Sequence, residues 1–334
     1  MNHLFIMTGL LAVLPLTVTA SRANEPAVRI AKFKDNKVAA VCYTLDDGLR
    51  SQYTIAAPIF KRAGVPATFY IISGVVADNA AAATAKEAGT FGGVTWDEVR
   101  ELAAQGHEIG NHTLTHPNLA QIYDRVELER QIEEGADLLQ RELGVFPVSF
   151  AYPYDGQRQH THRAVLRRHA VYRGGYRRIG KADETPAGLN EWLDRLIEKN
   201  RWEPGVIHGL EEGTYDPLKP EVLEAHLQYA KSRADTLWLG TYADVARYTQ
   251  EAEATRARVI EQTADQVTLV LETALDTKLF NVPLTVIIRA PGVTAAGAAD
   301  ADGKAVPVRV AADEVWLDAK PGGAPLTVKF SKQP

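Results

Sequence analysis

Two adjacent carboxylates at the end of an apolar segment are the residues of this sequence that are best placed for chemistry. Asp46 and Asp47 follow residues 38–45, an almost continuously apolar and partly β-branched run that predicts a buried strand. Two such carboxylates repel each other if both stay charged and unpaired, whereas a metal ion on one leaves the other free as a base. Gly48 lets the chain turn tightly over the site. A surface turn of sequence Asp-Asp-Gly is the alternative, and the dyad alone does not decide between the two.

A pair of histidines adds a second candidate group. His112 and His116 are four residues apart and come directly after residues 108–111, a short predicted strand. In a loop or in one helical turn, this spacing lets both imidazoles reach one cation. With Asp47 they would form a two-histidine, one-carboxylate metal site with open positions for water and substrate. Histidines at this spacing are structural more often than not, but polar groups at two strand ends favour the metal site.

Alternating strands and helices predict the frame that positions these residues. Residues 67–72 read as a second buried strand, and a helix predicted over 52–63 separates it from the first. Such a β-α-β unit favours a parallel sheet. Because the alternation continues over residues 37–252, we expect an α/β fold, a closed or nearly closed β/α barrel with its functional residues at the carboxyl ends of the strands. Both candidate groups would then lie on one rim.

The texture of the sequence changes after about residue 253. From residue 257 onward, short alternating strands are separated by Pro, Gly, Asn and Asp, which predicts a small all-β, sandwich-like C-terminal domain over residues 255–334. Its strands are predicted over residues 257–262, 266–272, 283–290, 305–310, 314–319 and 325–330. Ahead of the barrel, residues 24–36 show no strong periodicity and are interpreted as a lead-in segment.

Composition and charge limit the class of protein. The chain has 334 residues, of which 46% are hydrophobic, enough for a sizeable core. A formal net charge of -5 argues against a nucleic-acid partner and against binding to an anionic membrane. The single cysteine, Cys42, excludes an intramolecular disulfide.

The first residues are similar to a secretory signal. Residues 4–20 are almost wholly apolar and small residues follow, so we expect a signal peptide over residues 1–23 that is cleaved after Ala20 or Ala23. An uncleaved membrane anchor is the alternative, although the run is short for a membrane-spanning helix. Cleavage would leave a secreted or periplasmic protein with no stable membrane insertion.

Four short motifs together resemble one known family. In chain order they are Thr44-Leu45-Asp46-Asp47-Gly48, His112-Thr113-Leu114-Thr115-His116, Phe150-Ala151-Tyr152-Pro153-Tyr154 and Ile207-His208-Gly209. Their order is that of the polysaccharide deacetylase family, also called carbohydrate esterase family 4, and the resemblance covers residues 37–250. It implies a distorted (β/α) barrel of the polysaccharide deacetylase type, and it does not extend to the C-terminal β domain.

The resemblance implies a role for each matched position. A divalent metal, zinc in the first place and cobalt or another first-row ion as alternatives, would be held by three side chains: Asp47, His112 and His116. Asp46 would be the general base toward water, and His208 the general acid that protonates the leaving amine or alcohol. The backbone N–H of Tyr154 would add an oxyanion donor. The implied activity is removal of N- or O-linked acetyl groups from an acetylated carbohydrate.

Two departures from the family pattern bear on this site. Where many members carry an arginine that orients the base, this chain has Ala151, and three arginines are candidates to replace it: Arg158, Arg173 and Arg201. The acidic-plus-tryptophan motif that usually lines the acetyl pocket is not recognisable. Trp202, just before the strand that carries His208, is the best replacement as a pocket wall, with ordinary barrel core as the alternative. Tyr152 and Pro153 complete the candidate substrate-binding residues.

Two other functions stay open on the sequence. The same fold could hydrolyse a small non-sugar amide, or the chain could be a non-catalytic carbohydrate-binding protein whose active site has decayed. A binding protein has no need for a base and an acid together. Retention of Asp46 and His208 beside the three metal ligands therefore argues against decay.

Overall fold

The structure, a computed structural model, describes residues 27–85, 91–181, 183–210 and 212–332. The predicted signal peptide over residues 1–23 lies outside these ranges. Within them, no helix combines the length and the apolar character that are needed to cross a membrane.

Strands and helices alternate along most of the described chain, and strands alone form its last part. The strands of the first part are β1 (Ala27–Ile30), β2 (Ala39–Asp46), β3 (Thr68–Ile71), β4 (Glu108–Asn111), β5 (Ser149–Phe150), β6 (Val171–Tyr172), β7 (Arg177–Arg178), β8 (Trp202–Ile207) and β9 (Leu237–Leu239). The helices are α1 (Ala57–Ala63), α2 (Ala80–Ala85), α3 (Trp96–Ala104), α4 (Arg125–Leu143), α5 (Gln159–Val165), α6 (Pro186–Glu198), α7 (Pro220–Ser232) and α8 (Tyr242–Ala254). The strands of the last part are β10 (Thr255–Gln262), β11 (Gln266–Thr273), β12 (Leu284–Arg289), β13 (Val293–Ala299), β14 (Ala305–Val306), β15 (Val308–Ala311), β16 (Glu314–Ala319) and β17 (Leu326–Lys332).

Strands β2 to β9 form one parallel sheet that curves into an open barrel. Its order is β6-β5-β4-β3-β2-β8-β7, and β9 pairs with the first residues of β2. In the described chain β6 and β7 are the two ends of this order, so the barrel is open along one side. Apolar side chains of α1, α3, α6 and α7 pack on the outer face of the central strands. The predicted α/β fold with a distorted barrel is confirmed.

The central strand β2 explains how the site is placed. All eight of its residues are buried, which is why the segment reads as a nearly continuous apolar run. Because side chains alternate along a strand, Tyr43 and Leu45 pack in the helix-facing core while Cys42 packs in the barrel interior. The same alternation turns Thr44 and Asp46 toward the interior. The last interior-facing position of β2 is therefore a carboxylate.

Four polar residues lie at the carboxyl ends of these parallel strands. Asp46 ends β2, while His112, Arg173 and His208 come directly after β4, β6 and β8. Parallel strands end on the same side of a barrel, so these side chains share one rim.

The last part of the chain packs as two antiparallel sheets. Their orders are β1-β12-β16-β15 and β10-β11-β17-β13-β14. Val286 and Leu317 of the first sheet share one apolar core with Leu269 and Phe330 of the second, so the predicted all-β, sandwich-like arrangement is confirmed. Strand β13 was not predicted, because only Ala and Gly follow Val293 and Thr294 in it, and these residues are poor strand formers.

The segment interpreted as a lead-in takes part in this second domain. Ala27–Ile30 pairs with β12 as an edge strand of the first antiparallel sheet. Close by, the Tyr248 hydroxyl on α8 donates to the carbonyl oxygen of Ala31 at 3.1 Å and accepts from the backbone N–H of Thr285 at 3.2 Å. The last barrel helix thus contacts the residue that follows β1 and a residue of β12, two neighbouring strands of this sheet.

Candidate metal and catalytic site

Three buried side chains converge on the rim of the barrel. Oδ1 of Asp47 lies 3.4 Å from Nε2 of His112 and 3.2 Å from Nε2 of His116. The two Nε2 atoms are 3.2 Å apart. Within the described chain, this is the group of carboxylate and imidazole ligands whose atoms are close enough to hold a metal ion.

The backbone around these ligands turns through unusual conformations. Asp47 has a φ of 82° directly after β2, and Thr113 and His116 have φ values of 69° and 66°. The Thr113 hydroxyl accepts a hydrogen bond from the His116 N–H at 2.9 Å. The two histidines therefore reach the cluster through a tight loop, not through a helical turn. Non-glycine residues with positive φ are uncommon and concentrate at functional sites.

A backbone carbonyl sets the tautomer of His112. Its Nδ1 lies 2.9 Å from the carbonyl oxygen of Ala151, which can only accept a hydrogen bond, so Nδ1 carries the proton. The lone pair of the neutral ring is then on Nε2, the atom that faces Asp47. Metal-binding histidines are commonly oriented in this way by a partner on their second nitrogen.

The neighbouring imidazoles hold the pKa of Asp47 below its usual range. Burial by itself would raise this pKa, but in the absence of a cation, imidazoles of His112 and His116 that are protonated on Nε2 donate hydrogen bonds to the carboxylate, and these bonds and the ring charges outweigh the burial. The carboxyl group is consequently kept as an anion, which is the form that binds a cation.

Asp46 has a different partner. Its two carboxylate oxygens accept from Nη1 and Nη2 of Arg173, both at 2.5 Å, and Nη1 also donates to the Thr44 hydroxyl at 2.9 Å. Burial would raise the pKa of Asp46, but the charge and hydrogen bonds of Arg173 reverse the shift and lower it. This bidentate pair fixes the carboxylate plane as well as its charge.

The place of Arg173 explains how it substitutes for the arginine that is missing at Ala151. Strands β5 and β6 pair in parallel with Phe150 opposite Tyr172, and the Arg173 N–H donates to the carbonyl oxygen of Phe150 at 2.8 Å. Arg173 is therefore the lateral neighbour of Ala151, one strand further along the sheet. Of the three candidate arginines, this one holds the carboxylate of Asp46.

The other candidates for these roles lie elsewhere. Arg158 is exposed at the start of α5, and Arg201 is exposed just before β8. The expectation that Trp202 lines the acetyl pocket is wrong, because Trp202 begins β8 while His208 follows its end, about 20 Å away along an extended strand. Trp202 lines a different cavity, near the amino ends of the strands, and packs against Tyr242.

A cavity of about 580 Å³ opens beside the metal-ligand cluster. Its lining residues are Asp46, Asp47, Phe91, His112, His116, Tyr152, Tyr154, Asp155, Arg173, Tyr176, Arg178, His208 and Tyr215. Tyr152 is therefore on the cavity as expected, whereas Pro153 is buried in the turn behind it and is not part of the lining. Tyr154 has a left-handed backbone with φ 55°, and its ring lies 4.7 Å from that of His116.

Sequence reasoning missed several residues of this region. The buried Gln52 side chain donates to the carbonyl oxygens of Asp46 and, at 2.9 Å, of His208, so one amide ties together the ends of two strands. Tyr176, Arg178 and Tyr215 line the cavity. Gln52 carries no sequence signal because it lies within a helical segment, but Tyr176 follows Arg173 closely enough that the two could have been considered together.

Comparison with known proteins identifies the first domain. Residues 33–173 match the family model described as polysaccharide deacetylase. This part of the chain therefore matches a polysaccharide deacetylase domain, as its motifs predict. The match includes the deacetylase-domain residues Asp46, Asp47, His112, His116 and Arg173, and it ends before His208.

Individual relatives match different shares of the chain. A gellan lyase from a Bacillus species is 22% identical over 296 residues, which are 78% of this chain and 11% of the lyase. A chitooligosaccharide deacetylase from Rhizobium leguminosarum bv. trifolii is 35% identical over 92 residues, which are 27% of this chain and 35% of that protein. The solved structure of the peptidoglycan deacetylase PdaC from Bacillus subtilis is 18% identical, with a TM-score of 0.41 over 65% of this chain and 94% of that one. The chain thus spans about a tenth and about a third of the two curated relatives.

Proposed function

We propose that this protein is a metal-dependent hydrolase that removes acetyl groups from a carbohydrate. The observation that carries the proposal is that two adjacent carboxylates have different partners. Asp47 faces two imidazoles, while Asp46 is held by a guanidinium beside the same cavity. A structural turn would not need opposite partners for neighbouring acids, whereas hydrolysis needs one ligand and one base.

The ligand atoms fit a small divalent cation. In a tetrahedral zinc site with bonds of about 2.0–2.1 Å, neighbouring ligand atoms are about 3.3–3.4 Å apart. The three ligand distances here are 3.2, 3.2 and 3.4 Å, and the donor set is one carboxylate oxygen and two imidazole nitrogens. Zinc is the ion we propose, with cobalt or another first-row ion as an alternative, because such a donor set accepts several of them.

The side chains of the cavity supply the rest of the chemistry. When bound by Asp47 and the two histidines, the cation supplies Lewis acidity, which polarises the acetyl carbonyl and acidifies water. Asp46 takes the proton from the attacking water, and Arg173 keeps its carboxylate in one orientation. The N–H of Tyr154 donates to the oxyanion that develops on the carbonyl oxygen. His208, as the general acid, gives a proton to the leaving nitrogen or oxygen as the bond to carbon breaks.

The substrate we propose is an acetylated saccharide. Five aromatic side chains line the cavity, and aromatic faces are suited to the apolar faces of sugar rings: Phe91, Tyr152, Tyr154, Tyr176 and Tyr215. One relative of the domain is named for deacetylation of chitooligosaccharides. Amide and ester acetyl groups pass through the same tetrahedral oxyanion, so the proposal covers both. We further propose that the protein acts outside the cytoplasm, as the apolar residues 4–20 suggest.

An acetate-release screen tests the proposal. Acetylated xylan, chitin oligosaccharides, peptidoglycan and aryl acetates are incubated with the protein before and after chelation. We expect acetate from at least one saccharide, loss of release on chelation, and recovery when zinc or cobalt is added. Full activity in a metal-free preparation would contradict the metal role. Binding of a saccharide without acetate release would instead favour a carbohydrate-binding protein, and release from small amides alone would favour the non-sugar hydrolase.

A further inference from the structure

We propose that Tyr215 is a positioning residue for His208, and that Arg178 and Asp216 hold Tyr215 in place. This inference rests on the proposed function, because it assigns a means of orienting the general acid. Tyr215 and Asp216 lie in the loop between β8 and α7, beyond the Ile207-His208-Gly209 motif.

Ring packing fixes the imidazole of His208 on one side. The Tyr215 ring lies edge-on to it, with centroids 5.0 Å apart and planes at 89°. Nδ1 of His208 is buried, and no hydrogen-bond partner for it is found among the described residues. An imidazole whose ring nitrogen has no fixed partner keeps its orientation through packing, and edge-to-face contacts provide such packing.

A second contact holds Tyr215 itself. The guanidinium of Arg178, on β7, lies 4.7 Å from the centroid of the Tyr215 ring, and its Nε donates to the carboxylate of the next residue, Asp216. Arg178 therefore binds the loop at two adjacent positions, once through a cation–π contact and once through an ion pair. The nearby Gly180 has a φ of 114°, and a side chain there would collide with the backbone of Asp216. The segment that follows β7 and the loop that carries Tyr215 are therefore in close contact.

The residues that hold His208 also face the cavity in which the substrate would bind. Arg178, His208 and Tyr215 all line the 580 Å³ cavity, and Tyr215 is 58% exposed although its edge contacts the imidazole. A leaving group that departs toward His208 consequently passes the Tyr215 ring. Loss of this ring should release the imidazole and so slow the proton transfer that the leaving group requires.

Leaving-group chemistry separates this role from a structural one. An amine or a sugar alkoxide must gain a proton as its bond to the acetyl carbon breaks, whereas a nitrophenolate leaves without one. We therefore expect Tyr215→Ala to lower kcat on an acetylated oligosaccharide about 10- to 100-fold and kcat on 4-nitrophenyl acetate less than about threefold. Tyr215→Phe keeps the ring and should retain most of both activities. Arg178→Ala should show the same selectivity in weaker form, and Arg178→Lys should recover part of it.

Two controls make the outcome decisive. Tyr123 is 78% exposed and packs against His160 at 5.7 Å away from the cavity, so Tyr123→Ala removes a comparable tyrosine–histidine contact and should change neither activity. In a His208→Ala background, Tyr215→Ala should cause no further loss of kcat. Equal losses on both substrates, or additive losses in the double variant, would overturn the inference. Absence of acetate release by the unmodified protein would instead overturn the proposed function.

Discussion

The barrel holds two acidic side chains whose partners differ in charge, the buried Asp46 and the half-buried Glu108. At the carboxyl ends of the strands, Asp46 accepts two hydrogen bonds from the guanidinium of Arg173. At the amino ends, Glu108 accepts only from neutral donors, which are the hydroxyls of Thr68 and Ser149 and the backbone N–H of Ala243.

Their pKa values move in opposite directions for this reason. Burial raises the pKa of Glu108, and its neutral donors do not fully offset the burial. For Asp46, burial acts in the same sense, but the positive charge of Arg173 outweighs it. Burial alone therefore does not decide the charge of an interior acid; the charge of its donors does. Asp46 is the proposed base, while Glu108 joins β3, β4 and β5 to the first turn of α8.

Replacing each acid by its amide should give the largest contrast. Asp46→Asn removes the base that we propose, so we expect a loss of kcat of about 10²- to 10⁴-fold with the metal content unchanged. Glu108→Gln makes the same chemical change at the other end and should leave kcat within about threefold. Steady-state kinetics and metal analysis of both purified variants measure this. An active Asp46→Asn variant would show that the base lies elsewhere.

Removing the cation from the Asp46 end should cost stability. Arg173→Ala leaves a buried carboxylate without its partner, and we expect a loss of about 3–5 kcal/mol in the free energy of unfolding. Arg201→Ala is the matched control, because Arg201 is exposed near the opposite end of the barrel, and it should change stability by less than about 0.5 kcal/mol. Urea denaturation measures both. Similar stabilities of the two variants would mean that the pair with Asp46 contributes little.

The Glu108 end should be less sensitive. Glu108→Gln keeps the size of the side chain but places an NH₂ group among donors, so we expect a loss of about 1–3 kcal/mol in the free energy of unfolding. Urea denaturation near neutral pH measures it. A loss as large as that of Arg173→Ala would remove the distinction between a charged and a neutral network.

The stability contributions of Glu108 and Asp46 should change with pH in opposite directions. This is the smallest of the expected effects. The folded-state pKa of Glu108 is raised, so its contribution is complete below the unfolded-state pKa of about 4.3 and is lost as pH rises through the folded value. The stability difference between the unmodified protein and Glu108→Gln should therefore shrink as pH rises from 4 toward 8. Asp46, whose pKa is lowered, contributes in the opposite sense: its contribution is complete above its unfolded-state pKa of about 3.9 and is lost as pH falls through the lower folded value, below the range in which Glu108 acts. Denaturation curves across this pH range measure the slope, and a constant difference would mean that Glu108 is ionised throughout.

Much of the site was predictable because strand ends carry it. Asp47, His112 and His116 follow strands that the sequence marks clearly, and a parallel barrel brings such ends together. The partner of Asp46 was not predictable to a single residue. Arg173 follows a strand of two residues, and its reach depends on which strand lies beside β5. Only the curvature and order of the sheet choose it from the other arginines.

The prediction for Trp202 failed because residues that are close in sequence were taken to be close in space. Trp202 and His208 are close in sequence, but an extended strand separates them by its whole length. Strands β1 and β13 escaped prediction because pairing, not local propensity, forms them. Hydrogen bonds to β12 and β17 satisfy their backbone groups, and the local sequence does not predict these pairings.

The pairing of β1 with β12 has a consequence for how the chain is made. Residues 27–30 leave the ribosome first among the described strands, yet their partner, residues 284–289, is synthesised about 250 residues later. At roughly 5–20 residues per second, this early strand waits on the order of 10–50 seconds with an unpaired edge while the barrel forms beside it. The second domain is therefore assembled from both ends of the chain, and a cut at residue 254 would separate the sheet from its own first strand.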